Sequence, residues 1–420
     1  MMTSTTMDHE LHLDGRAVTP SHDSGARLAR ALLSYLVALT AALLLLPFDF
    51  ALPASYGFRF DTSPIGALVM FGLYVPYGFL TRRARTGRRG GHVAIIMLSA
   101  GMLALALETA QLFVPAANAS VWHLVSAVAG AAIGAVVCER VHHDVRSTAN
   151  AAQTLLLQLP LMGLVYLLLP LLWASAAAAQ DDPSRLALTL CVGMAGASIL
   201  GSVARATRAF TPDRAWWVVP GVAAIWSALG MLPSVLVDWR LTIGLVAAVV
   251  VFAGWRGRWS APMFVERRHE ARALLVASPF MALYFILAGV WPGHSFRSNP
   301  LLHLGMPTTE QGLAMALPLL EMGIAATIMG YMLAEFRGRN ESSFRENGAG
   351  VVSWACAILL VTEAARSVFG YEGASLLRAA LCVLAATYGA GLYHLQRAHV
   401  KVLARRLGQS SPGDQHPRSA

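Results

Sequence analysis

The stretch LALALETAQLFVPAAN, residues 103–118, carries an apolar run into Glu108 and Gln111 and then into a turn at Pro115. A second apolar run, SVWHLVSAVAGAAIGAVV, residues 120–137, follows directly. Runs of about 20 apolar residues cross a ~30 Å hydrocarbon layer as α-helices. The stretch therefore reads as two membrane spans joined by a tight turn, with a carboxylate just inside the first. A charged side chain in lipid costs ~2.5–3.5 kcal/mol on insertion scales. Glu108 must then face the interior of a helix bundle or a water-filled vestibule, and Gln111, three residues on, shares its helix face.

The rest of the chain has the same character. Of 420 residues, 56% are hydrophobic and only 13% are charged, against ~25% charged in a soluble domain. Mean hydropathy is +0.55. Open sheets cannot span lipid, and the alternation of a membrane barrel is absent. The fold class is all-α: a polytopic membrane protein. The net charge of +9 does not point to nucleic acid, because the arginines sit in short loops between apolar runs and no compact basic domain carries them. Cys138, Cys191, Cys356 and Cys382 all fall in apolar runs without metal-ligand spacing and read as structural thiols. No Walker loop and no GxSxG elbow occurs, so neither a metal nor a nucleotide or other cofactor is implied.

A window of about 19 residues places twelve spans at 28–48, 63–80, 92–113, 120–139, 153–176, 185–204, 215–234, 239–255, 271–291, 311–336, 350–369 and 374–395. The eighth is the weakest, being short and following Asp238 and Arg240. Alternate loops are basic: Arg82, Arg83, Arg85, Arg88 and Arg89; Arg140 and Arg146; Arg205, Arg208 and Arg214; Arg256, Arg258, Arg267 and Arg268; Arg337, Arg339 and Arg345. The other set holds none or single arginines. The positive-inside rule then puts both termini in the cytoplasm. Residues 1–27 and 396–420 read as cytoplasmic tails, the first without the early apolar core of a signal peptide.

The Glu108 stretch recurs. ETAQLFVPAANASVWHLVSAVAGAAIG (108–134) aligns without a gap on EAARSVFGYEGASLLRAALCVLAATYG (363–389). Glu108 matches Glu363, Ser120 matches Ser375, and Gly134 matches Gly389. Gln111 stands opposite Arg366, and His123 opposite Arg378. The preceding spans support the match: ARALLSYLVALTAALLLLPF with EARALLVASPFMALYFILAGVWP, and GLYVPYGFLTRRAR with ATIMGYMLAEFRGR. Residues 28–145 and 270–395 thus read as two copies of one four-helix unit, an arrangement frequent in transport folds. Residues 153–255 form a middle four-helix unit that is either a degraded third copy or unrelated, since no glutamate marks its third helix.

A helix ending E-x-x-Q, a short F-x-P turn and a helix ending G-x-x-x-G resembles the VanZ-like (teicoplanin-resistance) membrane family. Tyr74, Pro76, Gly78 and Phe79 match that family's F-x-P-x-G-F helix, and Pro47 and Phe48 its opening. The resemblance covers residues 28–140 and reaches 270–395 through the repeat. Where the family carries arginine, aspartate and asparagine after the turn, this chain has Ala117, His123 and Ala127, and the asparagine of the second helix is replaced near Met70. The resemblance implies action at the cell envelope, in glycopeptide resistance or the handling of surface polymers and lipids. Membrane lipids, including a lipid-linked or cell-wall precursor, would be the partners.

The residues expected to carry that action are Glu108, Gln111, Glu321, Glu363, Arg366 and Arg378. Glu363 and Arg366 share a face, and Arg378 begins the next helix within reach of both; an anionic or zwitterionic lipid head group suits such arginines. Glu321, deep in its span, is expected to pair with Arg366 or Arg378, or to stay protonated because desolvation disfavours the charge. Gln111 alone reads as an interhelical packing bond. His123 reads as a surface group at a helix start, and His294 and His303 as solvated. Two further functions fit the same residues. A twelve-helix secondary transporter shares the span count, and GFLTRRARTGRRGG is similar to a facilitator loop motif, although facilitators repeat by six helices. A membrane-embedded transferase or hydrolase would use Glu321 as its base but lacks an evident partner.

Overall fold

A computed structural model describes residues 23–46, 50–52, 58, 60, 64–85, 92–114, 119–147, 149–179, 182–206, 212–259, 266–290, 302–303, 312–337, 344–369 and 373–409. Within them lie twelve α-helices: α1 (Asp23–Leu45), α2 (Pro64–Ala84), α3 (Val93–Gln111), α4 (Val121–Ser147), α5 (Ala149–Ala178), α6 (Leu186–Ala206), α7 (Pro212–Gly230), α8 (Trp239–Trp259), α9 (Glu266–Val290), α10 (Gly312–Arg337), α11 (Phe344–Phe369) and α12 (Leu376–Gln409). Each coincides with one expected apolar run. Eight of these helices contain segments long and apolar enough to cross a membrane, and α5, α7 and α9 contain shorter apolar segments. The protein is an all-α, multi-pass membrane protein.

Local chemistry explains the helix ends. Asp238 does not burden the eighth span. It caps α8, its Oδ1 accepting from Arg240 N at 2.9 Å and Leu241 N at 3.2 Å, which satisfies N–H groups that the first helical turn leaves without partners. Asp182 does the same for Ser184 N at 3.0 Å, with Pro183 opening a short 3-10 turn before α6. The last helix departs from expectation. α12 continues past 395 to Gln409, so the first part of the expected C-terminal tail is helical. The reason is packing: Gln396 and His399 are buried, Tyr331 Oη donates to Gln396 Oε1 at 2.7 Å, and the His399 ring lies against Gly25. Of the expected N-terminal tail, residues from Asp23 onward belong to α1.

The helices divide by burial. The spanning windows of α6 and α10 are 83% and 67% buried, whereas those of α3, α8 and α11 are 28% buried. The first pair forms the centre; the others expose rows of large apolar side chains, among them Leu98, Met102, Val251, Trp255, Leu360 and Val361, as a surface solvated by hydrocarbon requires. Among the described residues there are two apolar cores. A small one joins α2, α3 and α4 through Met70, Tyr74, Ile96, Ala100, Ala104 and Ala127. A larger one unites α5 to α12 and takes in Leu39 of α1. An apolar cavity of about 70 Å³ lies between them, lined by α1, α2, α5 and α7.

Among the described residues, two pairs of helices touch at backbone distance. A Cβ added at Gly78 of α2 would run into the Ala131 carbonyl of α4, and one at Gly134 into the Val75 carbonyl. A Cβ added at Gly330 of α10 would run into the Ala386 carbonyl of α12, and one at Gly389 into the Thr327 carbonyl. Small residues permit this approach, and dispersion then holds helices that gain nothing from hydrophobicity within lipid. Two glycines of the middle helices meet side chains instead: Gly193 the Val249 side chain, Gly196 the Trp226 ring. α9 packs chiefly against α6, whereas α1 packs chiefly against α2.

Contacts fix which helix ends lie together. The C-terminal ends of α2 and α4 meet through Arg82 and Glu139, and Arg83 Nη2 lies 3.5 Å from His399 Nε2 of α12. The opposite end of the bundle gathers the C-terminal ends of α1, α3, α9 and α11 with the starts of α4 and α12. There, β1 (Leu302–His303) pairs in parallel with β2 (Ala374–Ser375), tying the segment before α10 to the turn before α12.

Candidate functional site

Three buried carboxylates lie at the end of the bundle away from Arg82 and Arg83. Each is held by groups from neighbouring elements.

Glu363 stands near the C-terminal end of α11. Its Oε2 accepts from Ser375 N at 2.9 Å, across the turn that leads into α12. The first N–H groups of a helix have no partner within it and carry its positive dipole end, so a carboxylate there is doubly favoured. Arg378 grips the same carboxylate with two parallel bonds, Nε to Oε1 at 2.8 Å and Nη2 to Oε2 at 2.7 Å, the strong fork geometry of arginine. Its Nη2 also donates to Gly373 O at 2.8 Å. Gly373 has φ of 76°, a left-handed value that glycine adopts without strain, and it turns that carbonyl toward the guanidinium. Arg366 Nη2 donates to Ala288 O at 2.9 Å, near the end of α9, and its Nη1 lies 4.0 Å from Glu363 Oε1. The three residues expected to act together are brought together.

Glu108 repeats this arrangement at the end of α3. Its Oε2 accepts from Ser120 N at 2.8 Å, across the turn into α4. His123 Nδ1, in the place of Arg378, lies 3.0 Å from Glu108 Oε1. Gln111 Nε2, in the place of Arg366, donates to Leu44 O at 2.9 Å, near the end of α1. Three contacts of the Glu363 turn thus have counterparts at 108, 111, 120 and 123: the carboxylate with the backbone N–H across the turn, the carboxylate with the side chain at 378 or 123, and the side chain at 366 or 111 with a carbonyl near the end of α9 or α1. His123 is not the surface group expected. It turns inward because position 123 lies in the first turn of α4, on the side of the helix that faces the carboxylate. The lone acid in this oily run ties α3 to α4 across their turn.

Glu321 forms a separate group. Its expected pairing with Arg366 or Arg378 does not occur. Instead Arg185 Nη2, at the start of α6, donates to Glu321 Oε2 at 2.6 Å. Ser175 Oγ donates to Oε1 at 2.5 Å and Tyr284 Oη to Oε1 at 2.9 Å. Arg185 wins because α6 is a central helix packed beside α5 and α9, whereas Arg366 and Arg378 are engaged at the turn of α11. Sequence reasoning passed over Arg185, Ser175 and Tyr284. The available signal was Arg185 itself, a single arginine in an otherwise arginine-poor loop, after the helix-opening pair Asp182 and Pro183. His294 and His303 lie outside the residues whose side chains are described.

The described clusters are three separate sites, each carboxylate at least nine-tenths buried. None faces lipid. No family model, no curated protein and no solved structure matches the chain.

Proposed function

We propose that this protein sits in the bacterial cytoplasmic membrane with both termini inside, descends from a duplicated four-helix unit of VanZ-like kind, and acts at the envelope by holding an anionic or zwitterionic lipid head group. The duplication is supported by the paired contacts: the same carboxylate-to-backbone bond and the same glycine-to-carbonyl approaches recur in α1–α4 and α9–α12. The head-group reading is carried by one observation. Arg366 and Arg378 converge on Glu363 at the end of the bundle away from Arg82 and Arg83. Guanidinium groups fixed at a helix end suit phosphate oxygens. The test is native mass spectrometry of the purified chain with phosphatidylglycerol. Arg366→Ala, at unchanged thermal stability and abundance, is expected to lose bound anionic lipid and the associated envelope phenotype, read as glycopeptide susceptibility. Retention of both by the variant removes this reading.

A secondary transporter is the second reading, favoured by the Glu321 group. Its four side chains come from α5, α9, α10 and the turn before α6, around the most enclosed helices of the bundle, and buried charges within membranes mark ion and substrate paths. Uptake of solute into proteoliposomes under an imposed proton gradient, abolished by Glu321→Gln, would favour it over lipid binding. A hydrolase or transferase with Glu321 as base gains less, because that carboxylate already accepts from Ser175, Tyr284 and Arg185.

A further inference from the structure

The apolar cavity between the two cores has a direction. On α1 it runs from Leu36 to Leu43, on α2 from Pro76 to Leu68, and on α5 from Tyr166 to Trp173. Each stretch covers about two helical turns, on the order of 10 Å. One end of this slot lies at the carboxylate end of the bundle. Leu44, next to Leu43, accepts from Gln111, and Ser175, just beyond Trp173, donates to Glu321. The other end lies at Leu36, Pro76 and Tyr166, near the middle of their helices. The slot also opens sideways. Leu68 of α2 and Leu229 of α7 line it and are 47% and 43% exposed, so its mouth is continuous with the surface that meets hydrocarbon.

The volume of about 70 Å³ exceeds the roughly 10–15 Å³ that one water needs, but a buried water also needs about 2–4 polar partners. Apart from Gly72, Tyr166 and Trp173, the lining residues are leucine, valine and proline. The Tyr166 hydroxyl and the Trp173 indole N–H belong to residues two turns apart on α5, too far for one water to join. Apolar cavities of this kind stay dry and take apolar guests, and an empty one forfeits dispersion contacts along its walls. Gly72 marks the room. A Cβ added there would meet nothing within 4 Å, whereas one added at Gly78, further along the same helix, would run into the Ala131 carbonyl. Helix contact explains Gly78. It does not explain Gly72, and glycine weakens a helix interior. The space that Gly72 leaves for an occupant does.

We propose that one acyl chain of a membrane phospholipid occupies this slot as a fixed part of the fold, entering between Leu68 and Leu229 with its terminal methyl toward Tyr166. An acyl chain runs from the membrane face to the midplane, half of the ~30 Å hydrocarbon layer. The slot runs the same way, from the carboxylate end of the bundle to the middle of its helices. The chain fills a seam between α1 and α2 on one side and α5 and α7 on the other, where the protein's own side chains leave a gap. The slot takes a tail and does not rest on the Glu363 head-group reading. That reading is tested at Arg366 and this one at Trp173, so either can fail alone.

The experiment reconstitutes the full chain in nanodiscs of phosphatidylcholine whose acyl chains carry bromine, with ordinary phosphatidylcholine as the reference. Bromine quenches an indole that it touches. The share of Trp173 is the part of the quenching that Trp173→Phe removes, and a clear share is expected. Gly72→Leu fills the slot from within. It should lose the Trp173 share of the quenching. It should also raise the unfolding midpoint of the protein stripped of lipid in detergent, because its side chain takes the place of the missing tail; a variant that merely disturbs folding would lower that midpoint. Gly72→Met, with a flexible unbranched side chain, makes the same test should the leucine variant not fold. A Trp173 that brominated tails do not quench, or one quenched as strongly in Gly72→Leu and Gly72→Met as in the unaltered chain, would overturn the proposal.

Discussion

At the end of α3, Glu108 meets a backbone N–H and a histidine; at the end of α11, Glu363 meets the equivalent N–H and two arginines. The bond to the backbone is common because it answers a problem both turns share, the unpartnered N–H groups that open the next helix. The cations differ because the turn does not depend on them. What the comparison teaches is a division between the part of the motif that makes the fold and the part that is free to vary. The surroundings differ in parallel. The Glu108 turn belongs to a unit with its own small core, whereas the Glu363 turn is continuous with the large core of α5 to α12.

The largest difference should appear on removing each acid. Glu363→Ala strands the buried Arg378 and should cost about 3–5 kcal/mol, the penalty for breaking a buried pair from one side. Glu108→Ala leaves one backbone N–H and one imidazole nitrogen without their carboxylate partner, about 1–3 kcal/mol. Reversible unfolding in detergent micelles measures both, and equal losses would break the comparison. The glycine seams should behave alike. Gly78→Ala and Gly330→Ala each force apart helices in backbone contact and should cost about 1–3 kcal/mol; a large loss at only one seam would break the likeness between them.

Much of this was legible in the sequence. The pairing of Glu108 with Glu363 and of Ser120 with Ser375 followed from an ungapped match, and those are the residues whose bonds coincide. The match also aligned Gln111 with Arg366, which reach the ends of α1 and α9 respectively. The inward turn of His123 was not legible, because a histidine at a helix start faces water or protein according to what packs above it. The partners of Glu321 were not legible either: Arg185 is 136 residues away along the chain, and no periodicity links them.

Smaller effects sharpen the same contrast. His123→Arg, which gives the first turn the cation of the second, should stabilise by up to about 2 kcal/mol if the guanidinium forks the carboxylate as Arg378 does, read as a higher unfolding midpoint. Gln111→Ala removes one interhelical bond to Leu44 O and should cost about 0.6–1.7 kcal/mol, the range of such bonds in membranes. A loss well beyond that would mean that Gln111 supports more of the turn than its one visible bond.

The amino-acid sequence by itself determined the membrane class, the place of each helix and the correspondence between the Glu108 and Glu363 turns. These follow from hydrophobicity and from identity along the chain, properties that neighbouring residues carry without reference to anything distant. Tertiary structure alone decided that α9 lies chiefly on α6, that Glu321 belongs with Arg185, Ser175 and Tyr284, and that the three acids form separate groups. Within lipid every apolar face is equally at ease, so hydrophobicity cannot select a neighbour. Close packing and the few buried hydrogen bonds make that choice, and both depend on residues that meet only once the helices have assembled.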